Sequence, residues 1–481
     1  MSTLQNRMFR ELLEKEIFEA AKLSAFEFAD DTSNRRAYPA IAAINALDRF
    51  AEDLPNSTGD GLEIIRMLHA IGSPATVAST GGRYFGFVNG GAIPVALGAR
   101  WLADFWDQNS ALFNMSPVSS KLEDVCESWL RALFGLPPET AAGFVSGTSS
   151  AILCGLAAGR YRVFQNQGWD INKKGFRNAP SIRIVAGRHA HGAVVKAVAV
   201  LGMGIESIEW VDVDEQGRII PGDVPELDET TILILQAGNV NSGAFDAFEI
   251  LCRRANVAGA WVHVDGAFGL WAAACSTLSY LTRGVEAASS WSVDGHKTLN
   301  TPYDSGIILC RDKASLAAAL QASGSYLVYS DNRDGMLYTP EMSRRARATE
   351  LWATIKYLGK SGIDELVSGL HARAVQMAGE LRAEGFEVLN DIVFNQVLVA
   401  CENDVITDRT IGYVQESGEC WVGGAKWLQR AVVRISVCSW ATTSEDISRS
   451  VEAFVEARSR ARHDAYSLND PGSFTRQPPL L

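Results

Sequence analysis

Lys297 is the residue whose type and position most plainly could do chemistry. It stands in SWSVDGHKTLNTPYDSG, directly after a strand-like run, where the chain turns away from the strand end. A lysine amine can condense with a carbonyl cofactor if its surroundings keep part of it unprotonated. A lysine in a loop is usually only solvated, so Lys297 alone would carry little. Asp265 changes the balance. It ends the apolar run in AWVHVDGAFG, and a carboxylate there is costly unless paired. A pyridine nitrogen is such a partner: an aspartate against it keeps it protonated and makes the ring an electron sink. Gly266 and Ala267 would let a flat ring lie close. A helix-capping aspartate is the competing bland reading.

His191, in GRHAHGAVVKA, follows the run SIRIVAG. An imidazole there can stack on a cofactor ring and meet a substrate carboxylate. It could also be a residue beside a helix cap, or half of a metal pair with His189. No cysteine or acid lies nearby at a metal-like spacing, so no metal is expected. Ser146-Gly147-Thr148-Ser149-Ser150 opens a helix after GFV. Small hydroxyls with free N–H groups at a helix start make a phosphate cradle, although such residues are more often only caps. Lysine, aspartate, histidine and phosphate loop together suit pyridoxal 5′-phosphate (PLP). LGMGIES lacks the third glycine of a dinucleotide fingerprint. No G-x-S-x-G elbow occurs for an α/β-hydrolase.

These residues need elements to hold them. From residue 143 onward, GFVSG, SIRIVAG, TTILILQAG, AWVHVDGAF, SSWSVDG and SGIILCR read as buried strands. Helical patterns lie between them, among them SSAILCGLAAGRYRVF, HGAVVKAVAVLG and AFEILCRRANVAG. Alternation of this kind predicts an α/β fold with a mainly parallel sheet and ligands at the carboxyl ends of the strands. Before it, residues 1 to about 70 read as helix with polar breaks, and SSKLEDVCESWLRALFGLPP as an amphipathic helix stopped by Gly-Leu-Pro-Pro. After it come a long helix from Ser343 to about Gly385, two strands in FEVLNDIVFNQVLVACEN and AVVRISVCSW, and a helix from SEDIS with a capping-box-like start. The expected units are residues 1–80, 81–370 and 371–481: a helical segment, a large cofactor domain and a small C-terminal α+β domain.

The 481 residues are 47% hydrophobic and 21% charged, with a net charge of −12 and no basic block. That excludes nucleic acid and an anionic membrane as natural partners. The eight cysteines form no C-x-x-C pair and sit mostly in apolar runs, which suits reduced core thiols in a cytoplasmic protein. The charged N-terminus has no secretory h-region, and no run is long enough to span a membrane.

In order and context, HVDGAFG, DGHKTLNTPYDSG, AHGAVVKA and SGTSSA resemble the group II PLP-dependent amino-acid decarboxylases, a family that includes the aromatic-L-amino-acid and glutamate decarboxylases. The match runs from about Arg83 to Trp440. The resemblance implies the fold type I, aspartate aminotransferase-like architecture of PLP-dependent transferases. Lys297 would be the Schiff-base lysine, His296 its neighbour near the phosphate, and Asp265 the partner of the pyridine nitrogen. Ala267 would lie under the ring, His191 would stack on it, and Thr148, Ser149 and Ser150 would hold the phosphate. A tyrosine from a loop would protonate the product, and Tyr338 is the candidate here. A homodimer and an L-amino-acid substrate are implied as well. Tyr84, Phe85, Phe87, Trp101 and Trp106 tilt the expected side chain toward aromatic or apolar, although any one of them could simply be core. Two departures bear on substrate: Asn239-Val240-Asn241 replaces a threonine-rich segment, and Asn89 stands where aromatic decarboxylases carry proline. The alternative on the same fold is an aminotransferase or a carbon–carbon lyase, with Arg434 as a possible carboxylate clamp.

Overall fold

The structure, a computed structural model, describes residues 3–321, 329 and 331–467. Two helices open it, α1 (Thr3–Glu14) and α2 (Glu16–Asp31), followed by short α3 (Ile41–Asn45) and α4 (Gly61–Met67), which Asp60 caps. No residue of α1 or α2 is buried. Their apolar side chains, Met8, Leu12 and Phe26 among them, stay exposed. Phe18 and Phe26 touch Phe105 and Trp101 of α5 (Pro94–Trp106), so these helices make one outward apolar face. In α6 (Pro117–Phe134) the start and stop follow local rules: Ser116 caps it, Pro117 takes the first turn, and Gly135 ends it at φ +65°.

The large sheet comprises β1 (Ala141–Val145), β2 (Arg183–Gly187), β3 (Ile208–Val211), β4 (Thr231–Gln236), β5 (Trp261–Asp265), β6 (Ser290–Asp294) and β7 (Gly306–Cys310), in the order β1-β7-β6-β5-β4-β2-β3. Neighbours from β3 through β6 run parallel, and only β7 runs against both of its partners. Most strand residues are buried, because helices cover both faces. Those helices include α7 (Thr148–Asn166), short α8 (Ile171–Lys174), α9 (Gly192–Val200), α10 (Phe248–Val257) and α11 (Lys313–Leu320). The expected α/β sheet is therefore present. Strand β3, IEWV, was not expected; its Glu209 and Trp210 face outward on the edge and break the apolar run.

A second sheet, wholly antiparallel, has the order β10-β11-β9-β8, from β8 (Glu387–Val388), β9 (Gln396–Ala400), β10 (Gly423–Trp427) and β11 (Arg430–Ser436). Strand β10, GGAKW, also escaped the pattern, since glycine carries no apolar signal. One face of this sheet packs with α12 (Ala348–Ala383), α13 (Asp404–Ser417) and α14 (Ser444–Ser467). Helix α12 passes from one unit into the other and breaks at Gly359, φ +59°. The capping box of α14 forms one residue earlier than SEDIS suggests: Thr443 and Asp446 exchange backbone N–H to side-chain bonds of 2.9 and 3.1 Å. Among the described residues no helix is long and apolar enough to cross a membrane. All eight cysteines are buried and free.

Candidate active site

The ends of β5 and β6 bring the two acids of the site together. Asp265 closes β5 and pairs with Gln236 of β4, while Asp294 closes β6 one turn before Lys297. Asp265 is 6% exposed. Its contacts, Ala267 N–H at 3.2 Å and the Ser292 hydroxyl at 3.5 Å, both end on Oδ1. Oδ2 has no ion-pair or hydrogen-bond partner among the described residues. Burial pushes this carboxyl above the usual range; His191 and Lys297 pull it partly back.

His191 is exposed and is also the N-cap of α9, with Nδ1 accepting the Ala193 N–H at 3.2 Å. Nε2 therefore carries the proton and is free to face a ligand. His296 has the same tautomer for a different reason: its Nδ1 accepts the Ser305 N–H at 3.0 Å. Its ring stacks on Tyr303 at 4.2 Å between centroids, and the Tyr303 hydroxyl donates to Asn89 at 3.0 Å. Burial lowers the His296 pKa, so the ring is neutral at neutral pH.

Asp294 was missed by sequence reasoning. It is 1% exposed, and its carboxylate accepts the Thr148 N–H at 2.8 Å and the Thr148 hydroxyl at 2.9 Å. Lys297 Nζ lies 3.3 Å and His296 Nε2 3.5 Å from Oδ2. Thr148, assigned to a phosphate, thus gives both its donors to Asp294. Ser149 is the exposed residue of that first turn, and Ser150 faces Ser146 at 3.3 Å.

The turn carrying Lys297 is pinned by Asn300, which is fully buried at φ +57°. Its Oδ1 accepts the N–H groups of Gly91 and Trp440 at 2.6 and 2.9 Å; its Nδ2 donates to Lys297 O, Thr298 O and Cys438 O. Gly90 lies so close to Lys297 O and His296 O that a side chain there would collide. The same loop holds Phe87 and Val88 at φ +54° and +60°, a strained backbone for a β-branched residue. Phe87 is 64% exposed, and it and Tyr84 each stack on Trp421. Of the other aromatic candidates, Phe85 is in the core of the small sheet, and Trp101 and Trp106 lie exposed on α5.

The structure does not bring Tyr338 to this site. It is 4% exposed, packed in the cluster of β1, β7, α7 and α11, with Arg333 and Lys313 over its ring. Gly143, in the middle of β1, admits its carbonyl only because it lacks a side chain. Ser330, at the start of the segment expected to supply the proton, lies outside the described residues.

The donor set fits PLP. A buried carboxylate with one open oxygen suits a pyridinium N–H, the first turn of α7 with Ser149 suits a phosphate, and Lys297 between them suits the aldehyde. Further out, Asn239 Nδ2, His189 Nδ1 and Trp427 Nε1 are buried without hydrogen-bond partners among the described residues; the Asn239 and His189 atoms both close on Gly217. Arg434, on β11, has a single carbonyl contact, Val240 O at 3.4 Å, and no carboxylate among the described residues.

Residues 48–400 match the family model for the pyridoxal-dependent decarboxylase conserved domain. The chain is 26% identical over 334 residues to the cysteine sulfinic acid decarboxylase of Mus musculus, covering 66% of each. It is 24% identical over 423 residues to an aromatic-L-amino-acid decarboxylase of Bacillus atrophaeus, covering 83% of this chain and 86% of that one. The first match thus spans about two thirds of its relative's length. Among solved structures, Oryza sativa TDC with PLP and tryptamine superposes with a TM-score of 0.84 at 18% identity, over 93% of this chain and 98% of that one. Mouse CSAD gives 0.84 at 20% identity, over 94% and 99%. At such identities these two show the shared fold.

Proposed function

This chain belongs to the pyridoxal-dependent decarboxylase family, and from that premise we propose that it removes the α-carboxylate of an L-amino acid as carbon dioxide, using PLP held on Lys297. When bound, the cofactor withdraws electrons from the substrate's α-carbon, so the bond held perpendicular to its ring is the one that breaks. The observation that carries the proposal is the convergence of Lys297, Asp265 and His191 from β6, β5 and β2. Lys297 supplies the amine. Asp265 holds a proton on the ring nitrogen through its open oxygen. His191, fixed by its capping bond, presents Nε2–H to the carboxylate that leaves. Ser149, Ser150 and the first turn of α7 take the phosphate, with Thr148 and His296 held behind them by Asp294. Ala267 would lie under the ring. Excluding water from the leaving carboxylate would favour its loss, because a carboxylate is better solvated in water than in an apolar pocket.

The side chain accepted is aromatic or apolar; the Tyr84–Trp421–Phe87 stack beside the Lys297 turn supports this. The working form is a homodimer. Leu97, Trp101, Phe105 and Trp106 on α5, with Met8, Leu12 and Phe26, are exposed apolar side chains that support an interface there. The eight free thiols support a cytoplasmic location.

Arg434 favours a second reading, an aminotransferase. Burial lowers its pKa without displacing its charge, and it lacks an acid partner among the described residues. It could therefore hold the α-carboxylate in the ring plane and leave the α-hydrogen to break. A panel of C1-labelled L-amino acids, scored separately for amine, keto acid and carbon dioxide, separates the two. The expected result is labelled carbon dioxide with one solvent deuteron gained at the α-carbon. Stoichiometric keto acid without carbon dioxide would overturn the decarboxylase.

A further inference from the structure

Asp294 accepts two hydrogen bonds yet takes no part in breaking the substrate's bond. Both come from Thr148, the first residue of α7; Lys297 Nζ and His296 Nε2 lie within ion-pair distance of Oδ2, at 3.3 and 3.5 Å. The His296 tautomer is set independently by Ser305, so its Nε2 can only donate. The carboxylate therefore sits where the amine and the phosphate loop meet, paired with the amine and occupying the loop's first N–H.

We propose that Asp294 governs cofactor loading. In the cofactor-free protein its carboxylate lies 3.3 Å from Lys297 Nζ and engages Thr148, so an incoming phosphorylated aldehyde must replace it at both. This rests on the reading of Lys297 as the cofactor lysine. For Nζ to bond to an aldehyde carbon, the ammonium releases one proton to solvent. The free amine then adds, and the carbonyl oxygen leaves as water. A neighbouring carboxylate opposes the first of these events, and its charge also opposes the approach of a phosphate. Asp294 is thus a positioning residue that makes loading slow.

The other titratable groups within electrostatic reach of this pair are Asp265, His296, Tyr303 and Cys438. Exchange of Asp294 leaves all of them in place. The test uses cofactor-free full-length protein and two aldehyde probes, pyridoxal and PLP, with the rate of C=N formation followed by absorbance from about pH 6 to about pH 8. Pyridoxal lacks the phosphate and so reports on the amine alone. Asp294→Asn is expected to react with pyridoxal roughly tenfold faster at neutral pH and to gain still more with PLP. A folded variant with unchanged or slower kinetics with both probes overturns the proposal. If the variant does not fold, the wild type decides: PLP captured no faster than pyridoxal supports the hold on the phosphate loop, and PLP captured much faster than pyridoxal overturns it. Borohydride trapping and peptide mapping keep the two levels apart. A label on a lysine other than Lys297 defeats the cofactor assignment itself, whereas a label on Lys297 with no effect of Asp294→Asn defeats only this inference.

Discussion

Asp265→Asn separates catalysis from stability, because the two are expected to move in opposite directions. The wild-type carboxylate is almost wholly buried, and both of its contacts fall on Oδ1. An amide can keep those two contacts and still face the ring nitrogen, but it cannot hold a proton there by charge. Removing one partner of a buried charged hydrogen bond costs about 3–4 kcal/mol. At about 1.4 kcal/mol per decade, turnover should fall by two to three orders of magnitude. Stability of the cofactor-free protein should go the other way. An acid whose folded-state pKa lies above its unfolded value binds more protons when folded, so stability falls as pH rises through that interval. At neutral pH the carboxylate is therefore a net cost to the fold, and the amide lifts it. Carbon dioxide release, measured with PLP retention by absorbance, gives the first effect; thermal melting of cofactor-free protein gives the second. Turnover within about threefold of wild type with PLP still bound would refute the role given to Asp265. A marked loss of melting temperature would refute the claim that its charge is uncompensated.

Borohydride reduction of the purified enzyme should fix the cofactor on Lys297, and Lys297→Ala should lose both the link and nearly all turnover; mapping to Lys196 or Lys356 would exclude this. His191→Ala should cost only about 1 kcal/mol of stability, the worth of its cap on α9, while turnover falls far more, so a variant with normal turnover reduces His191 to a cap. Glu123→Gln should destabilise by about 3–5 kcal/mol in denaturant unfolding, since Glu123 neutralises buried Arg344 at 2.6 Å and Arg333 at 3.1 Å. An unchanged midpoint would mean that Glu127 suffices for both. The Asp246 carboxyl is pushed up to about 6 by burial; by the same sign stability is lost as pH rises from its unfolded value of about 4 through about 6, so Asp246→Asn should flatten the loss between about pH 4 and about pH 6.

Asp265 was legible because it ends an apolar strand and Lys297 because it stands in the turn just past one, both local properties of a few residues. The same holds for the six strands with continuous apolar runs. Strands β3 and β10 lacked that signal, one being an edge strand with polar faces and the other rich in glycine. Asp294 also ends an apolar strand, but its role was illegible because its main partner, Thr148, is 146 residues away. Asn300 likewise joins segments 209 and 138 residues distant. Tyr338 was chosen by its place in the chain, whereas packing against Arg333 and β1 decides where its ring goes. The H-x-H spacing could not say which histidine caps α9; it is His191.

The bonds that Asn300 makes also set an order in time. A ribosome delivers Lys297 long before Cys438 and Trp440, yet both are needed to close the turn on which the lysine stands. A nascent chain ending near residue 400 can complete the large sheet, but it carries its lysine on an unfinished loop. Competence to capture the cofactor therefore arrives late in synthesis, with the last strand of the small sheet, and C-terminal truncations short of Trp440 should yield colourless protein even where the large sheet folds.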